Sequence, residues 1–69
     1  MTLMTFHEAC ELVLTQCPNQ YAKAYAAAGL RLPADGEAAR VQALYILSNM
    51  RSWRGEDARQ VRIALRACK

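Results

Sequence analysis

The stretch VQALYILSNMRSWRGEDARQV, residues 41–61, decides the fold, because it holds the end of one predicted helix, a break and the start of another. Before the break, apolar residues recur at three- and four-residue steps, as on a helix. After it, Glu56 and Asp57 place negative charge where the first turn of a helix favours it. Nothing in the stretch alternates as a strand does. It therefore predicts two consecutive helices and an all-α fold.

The helix that precedes this break is predicted from about Glu37 to Met50 and is apolar almost all round. One of its faces carries Val41, Leu44, Tyr45 and Ser48, and the other carries Ala39, Ala43, Ile46, Leu47 and Met50. Such a helix is covered on two sides, or covered on one side and offered to a partner on the other. We therefore predict that helix three is central, with a homodimer through helix three if one face is left open. The face of Ala43, Leu47 and Met50 is the one expected to be exposed in that case.

The first two helices have recognisable starts and stops. Thr5 and Glu8 form a capping-box pattern before a predicted helix over residues 6–17. Asn19 is a favourable cap for an alanine-rich second helix. We expect Gly29 to end that helix by taking the left-handed conformation that a glycine adopts readily.

The chain has 69 residues, of which 54% are apolar. A chain of this length builds one hydrophobic core rather than two. The fold class that follows is all-α: a single domain over residues 1–69, arranged as a compact bundle of four short helices.

Cysteine usage and the N-terminus bear on the compartment. The three cysteines are an odd number without CxxC spacing, and the first residues lack the basic start and apolar run of a signal peptide. No apolar run is long enough to span a bilayer. We expect a cytoplasmic protein with reduced thiols and no membrane partner, in which Cys10 and Cys17 are small core residues.

Catalytic chemistry has little support in the sequence. His7 and Cys10 lie one helical turn apart, which in principle suits a nucleophile pair or half of a metal site. No third orienting group and no second ligand pair accompanies them, so a structural role is favoured. We expect no enzymatic activity, no catalytic residue, no metal and no cofactor.

Positive charge is concentrated at the C-terminus. Residues 51–69 carry six of the nine basic residues and only two of the six acidic ones. On the last helix the cations recur at steps of three or four, which places them along one flank. This asymmetry indicates an anionic partner, whether nucleic acid, an acidic protein or the acidic half of the chain itself; a merely solvated flank is the simpler alternative. We expect these arginines to be unnecessary for packing, so that reversing Arg59 and Arg62 leaves folding nearly intact.

Trp53 has two possible roles. At the corner between two helices it can pack over the core, with Arg51 or Arg54 across its face, and this role is favoured. Flanked by guanidinium groups, it can also belong to a recognition surface. The candidate partner-binding residues are Arg51, Trp53, Arg54, Arg59, Arg62, Arg66 and Lys69. The three tyrosines, Tyr21, Tyr25 and Tyr45, are expected to point their rings inward, and to anchor an interface if they cluster.

A helix-turn-helix can be sought in two places. After the second helix, Pro33 and the Asp-Gly pair fall where a recognition helix would have to start, which disfavours this position. The pair joined by RSWRG has a short break and a basic second helix. However, Gln60 is the only amide side chain on that helix, so it suits phosphate contacts better than base reading.

At YAKAYAAAGL (21–30), VQALYILSNM (41–50) and WRGEDARQVRIAL (53–65) the chain resembles a group of small helical proteins encoded by bacteriophages and prophages. The resemblance covers roughly residues 20–66, and the stretch 44–61 is its most distinctive part. It carries no catalytic residue to any position.

The resemblance implies a setting in the bacterial host cell. Small phage proteins of this kind often bind and block host machinery, including CRISPR effector complexes. Many such inhibitors are acidic, whereas this chain has a net charge of +3. The implied function is therefore inhibition of a host protein or ribonucleoprotein complex through a basic helix, with a nucleic-acid-binding regulator as the alternative.

Overall fold

The computed structural model describes residues 4–68, which form four helices and no strand. The prediction of an all-α chain with four helices is confirmed for these residues, and the predicted bounds of the first three helices and the start of the fourth lie within a residue or two of the observed ones. The helices are α1 (Phe6–Gln16), α2 (Gln20–Gly29), α3 (Glu37–Asn49) and α4 (Glu56–Arg66).

The first two helices begin as their sequences predict. Thr5 Oγ1 accepts a hydrogen bond from the Glu8 backbone N–H at 3.1 Å, and a Glu8 carboxylate oxygen accepts one from the Thr5 N–H at 2.8 Å. The Asn19 side chain accepts from the backbone N–H of Ala22 at 2.9 Å. These caps satisfy N–H groups that have no partner within the helix, and so fix where α1 and α2 start.

The other two helices share a different start. Both follow a glycine with positive φ, +97° at Gly36 and +114° at Gly55, in a region of conformational space that is essentially open only to glycine. The two sites have closely similar sequences, GEAAR (36–40) and GEDAR (55–59), and in each the glutamate pairs with the arginine three residues later. The same short sequence therefore produces the same helix start twice.

The helices pack in a closed order, α1 on α2, α2 on α3, α3 on α4 and α4 back on α1. Helix α3 thus lies between α2 and α4, which agrees in part with its predicted central position. The largest side chains that are fully buried come from α1, α3, α4 and the segments that follow α1 and α3: Cys10, Val13, Cys17, Ile46, Met50, Val61 and Leu65.

The open face of α3 is the opposite of the one predicted. Ala43 and Met50 are buried, and Leu47 is partly buried against the core. The face of Leu44 and Tyr45 is instead half exposed, at 53% and 50%. The buried residues of α3, Ala39, Ala43 and Ile46, belong to the core cluster to which all four helices contribute.

Gly29 does not close α2 in a left-handed conformation; the prediction was wrong, since Gly36 and Gly55 are the only described residues with positive φ. Gly29 is the last residue of the helix and is buried against α1. A methyl group there would lie 2.9 Å from Cys10 Sγ and 3.1 Å from Phe6 Cζ. The glycine is needed because α1 and α2 approach too closely for any side chain.

Gly29→Ala is accordingly expected to destabilise the fold by about 1–3 kcal/mol, the usual cost of overpacking a core, although alanine is the better helix former. Urea unfolding followed by circular dichroism measures the change. The exposed neighbour Ala28 provides the control: Ala28→Gly should cost only about 0.5–1 kcal/mol of helix propensity. A Gly29→Ala variant as stable as the wild type would contradict the close approach of α1 and α2.

Candidate functional site

The strongest candidate site is an open groove between α3 and α4, with a volume of about 290 Å³. Ser48 lies one turn after Leu44 on α3, and Arg66 lies one turn after Arg62 on α4, so each helix presents a continuous row to the groove. Arg51 lies two residues after the end of α3. We call this site the basic groove; its lining residues are Leu44, Leu47, Ser48, Arg51, Arg62 and Arg66.

Arg62 has a structural role that the sequence reading missed. Its guanidinium Nη2 donates to the backbone carbonyls of Met50, at 3.1 Å, and of Trp53. Carbonyls at the C-terminal end of a helix lack partners within it and attract positive charge. The expectation that Arg62 is not needed for packing was therefore wrong: it closes the end of α3 and holds the α3–α4 connection.

The remaining predicted cations are distributed unevenly. Arg51 and Arg66 are exposed and line the basic groove. Arg59 is exposed and lies 3.8 Å from Glu56 on the same helix, outside the groove lining. Arg54 is exposed in the connection before α4 and also lies outside the lining. Lys69 falls outside the described residues.

Trp53 is buried, with 7% of its surface exposed. It belongs to the same core cluster as Ile46, Val61 and Leu65. Its backbone N–H donates to the Met50 carbonyl at 3.1 Å, within the connection that Arg62 also holds. The favoured role of Trp53, packing at the corner of two helices, is the one the structure has, so it offers little surface to a partner.

Among residues 4–68, no acidic side chain forms an ion pair with an arginine of the basic groove. Within residues 4–68 the two ion pairs, Arg40 with Glu37 and Arg59 with Glu56, each lie within one helix. Glu8 and Glu11 lie on α1, where they line a separate hollow with Met4, Leu12 and Thr15. The basic C-terminal segment therefore forms no ion pair with the acidic residues of the first two thirds of the chain in the described residues.

His7 and Cys10 occupy structural positions. The Nε2 atom of His7 lies 2.6 Å from the carbonyl oxygen of Leu32, a hydrogen bond that links α1 to the α2–α3 connection. Burial raises the pKa of the Cys10 thiol to about 12, so the thiolate that a nucleophile requires is not formed near neutral pH. In the described part of the chain, no three His, Cys, Asp or Glu side chains converge as metal ligands.

The tyrosines differ from expectation. Tyr21 and Tyr45 are 71% and 50% exposed, so their rings are not directed inward. Tyr25 and Tyr45 stack with ring centroids 5.3 Å apart and thereby join α2 to α3 at the surface. The sequence does show uncharged residues at helical spacing on each of the two helices, including Tyr21 and Tyr25 on α2 and Leu44 and Tyr45 on α3. The pairing of the two rows depends on packing that the sequence alone does not show.

The connections between the helices are longer than those of a typical helix-turn-helix motif. Such motifs join their helices through about three or four residues, whereas residues 50–55 separate α3 from α4 and residues 30–36 separate α2 from α3. The Gln60 amide, the one candidate for base reading on α4, donates to a Glu56 carboxylate oxygen at 2.9 Å. Both observations favour contacts other than direct base recognition.

None of the four helices described is long and apolar enough to cross a membrane. No family model matches the chain, and no curated protein or solved structure is significantly similar to it.

Proposed function

We propose that this protein is a non-enzymatic binding protein that docks on an acidic surface of a larger host complex through its basic groove. The observation that carries the proposal is the composition of the groove: three arginines, Arg51, Arg62 and Arg66, line it together with the apolar residues Leu44 and Leu47. Arginine next to apolar surface is the composition typical of the energetically important part of protein interfaces.

Preorganisation supports this role. Arg62 is held by two backbone carbonyls, so its position is set before any partner arrives. Arg51 and Arg66 stand beside it with no ion pair among the described residues. A partner carboxylate that enters the groove therefore meets one guanidinium, that of Arg62, whose position costs little conformational entropy to fix.

An acidic protein surface fits the groove better than a nucleic acid does. Phosphate backbones are bound mainly by cations and polar groups, whereas two of the six lining residues are leucines. Glu56 and Asp57 begin the same helix that carries Arg62 and Arg66, and both are exposed. These carboxylates repel a nucleic-acid backbone that runs along the helix. They do not prevent a partner carboxylate from binding in the groove itself.

The resemblance to phage-encoded helical proteins suggests the class of partner. A small folded domain with no catalytic constellation in its described residues acts on host machinery by occupying a surface that the machinery needs. We infer that the partner is a host defence complex, with a CRISPR effector as the leading example. Inhibition then consists of blocking an acidic patch on the effector, without chemical change to it.

Affinity capture from bacterial lysate with the full chain as bait, with and without nuclease treatment, tests the proposal. A stable partner protein that is recovered equally after nuclease treatment supports it. Recovery that disappears with nuclease supports the nucleic-acid-binding regulator instead and contradicts the protein-binding proposal.

Arg51→Glu/Arg66→Glu is expected to weaken the captured complex at least about tenfold, because two carboxylates then face an acidic partner surface. Both residues are exposed, so folding should be nearly unchanged. Arg31→Glu is the matched control, since Arg31 is an exposed arginine that lies outside the groove lining. Equal binding by the Arg31 variant and the groove variant, measured by surface plasmon resonance, would place the contact elsewhere.

A further inference from the structure

Helices α2 and α3 together present a broad surface without charge. Each contributes one row of residues at steps of three and four, and neither row contains an acidic or basic residue. All members are exposed except Val41, which is partly buried. We call this surface the uncharged face; it consists of Tyr21, Ala24, Tyr25, Ala28, Val41, Leu44, Tyr45 and Ser48.

The uncharged face is held in a fixed shape. Tyr25 and Tyr45 stack across the two helices with their planes inclined by 23°. The side-chain amide of Gln42 donates to the Tyr25 carbonyl at 2.7 Å, a second link between α2 and α3. A surface fixed in this way loses little freedom when it is covered, which favours its use as an interface.

We propose that a second copy of this chain covers the uncharged face, forming a two-fold dimer in which the two α3 helices run antiparallel. A chain with a net charge of +3 repels its own copies. The eight residues of the uncharged face add no like charges to such a contact, and its cationic neighbours lie along one edge, where Leu44 and Ser48 adjoin the arginines of the basic groove. Exposed aromatic residues at its centre supply apolar area and are common anchors of such contacts.

The charges at the two ends of the face specify the antiparallel arrangement. Glu37, which also pairs with Arg40 on its own helix, lies at the start of α3, in helical register with Val41, Leu44 and Ser48. Arg51 lies just past the other end and lines the groove beside Leu44 and Ser48. Antiparallel helices bring Glu37 of each copy to Arg51 of the other, whereas parallel helices place like charges together. Leu44 is midway between them in sequence and so falls near the two-fold axis.

The size of the face sets the expected strength. The stretch from residue 37 to 51 spans about 20 Å, and neighbouring helices lie about 8–10 Å apart. A two-helix face of these dimensions is at the small end of specific interfaces, so the dimer should be reversible. Leu44 and Arg51 also line the basic groove. An acidic partner and a second copy therefore compete for these two side chains.

Sedimentation equilibrium of the purified full chain alone, from about 5 µM to about 500 µM, covers the range in which a weak dimer forms. We expect the mean mass to rise towards twice the monomer mass, and Leu44→Glu to keep the protein monomeric because two carboxylates meet at the axis. Ile63→Glu is the control: Ile63 is an exposed apolar residue on α4, outside the uncharged face. It should dimerise like the wild type.

Charge exchange tests the orientation. Glu37→Arg and Arg51→Glu should each weaken the dimer at least about fivefold, because each places like charges opposite one another. The double variant Glu37→Arg/Arg51→Glu restores opposite charges and should recover most of the wild-type association. Circular dichroism on each variant establishes that it remains folded.

A wild-type chain that stays monomeric over the whole range overturns the dimer. Equal loss of association in Leu44→Glu and Ile63→Glu also overturns it, since the contact would not then depend on the uncharged face. Failure of the double variant to recover overturns the antiparallel arrangement. Because no other partner is present, these outcomes do not depend on the proposed function.

Discussion

Trp53→Ala is expected to leave most of the chain unfolded in buffer. Trp53 is 7% exposed and contacts the core at the junction of α3 and α4. Removing a large buried aromatic side chain costs about 3–5 kcal/mol. A single core in a domain this small supplies roughly 3–5 kcal/mol in all. Helical circular dichroism in the absence of denaturant should therefore fall steeply.

A conservative variant and a surface variant serve as controls for this result. Trp53→Phe keeps most of the apolar volume and should remain folded, with a lower urea midpoint. Arg54→Ala changes an exposed neighbour and should be close to the wild type, within about 0.5 kcal/mol. A folded Trp53→Ala variant with wild-type stability would instead place the indole at the surface, as the recognition reading of this residue required.

Arg62→Glu is expected to destabilise the fold by about 2–3 kcal/mol, whereas Arg59→Glu on the same helix should cost no more than about 0.5 kcal/mol. The difference arises because Arg62 donates to the Met50 and Trp53 carbonyls, while Arg59 is exposed and pairs with Glu56 at 3.8 Å. A glutamate at position 62 also brings negative charge to the negative end of α3. Urea unfolding of the two variants gives the comparison.

Arg62→Gln extends the comparison, because its amide retains donor capacity without the charge and should fall between the wild type and the glutamate variant. Equal stability of Arg59→Glu and Arg62→Glu would contradict the assignment of Arg62 to the end of α3. It would mean that the flank of α4 is simply solvated, as its spacing alone suggested.

The helices could be predicted from sequence because local chemistry determines where they begin and end. Thr5 with Glu8 and Asn19 are caps whose effect depends on a few neighbouring residues. The buried stripe of α4 has the same local origin, because Ala58, Val61 and Leu65 recur at steps of three and four and are all buried. Those features need no knowledge of what packs against each helix.

The errors concern contacts between elements that are distant in sequence. The role of Gly29 depends on Cys10 and Phe6, which lie on another helix. The role of Arg62 depends on where the carbonyls at the end of α3 fall relative to α4. The spacing of residues shows which side chains lie on the same flank of a helix. It does not show which flank faces the end of a neighbouring helix.

The candidate site was predictable to a similar extent. Charge asymmetry identified the C-terminal segment, and Arg51 and Arg66 do lie together in a groove. The apolar part of that groove comes from Leu44 and Leu47, which no charge pattern indicates. Which arginines meet there depends on how α3 and α4 pack, so Arg54 and Arg59 could not be separated from the others by sequence alone.

The most direct test of the central claim is a map of backbone amide chemical shifts when the captured, nuclease-treated partner is added to the isotope-labelled chain. We predict that the largest changes fall on Ser48, Arg51, Arg62 and Arg66, around the basic groove. Changes confined to the acidic hollow of α1, with these four amides unmoved, would contradict it.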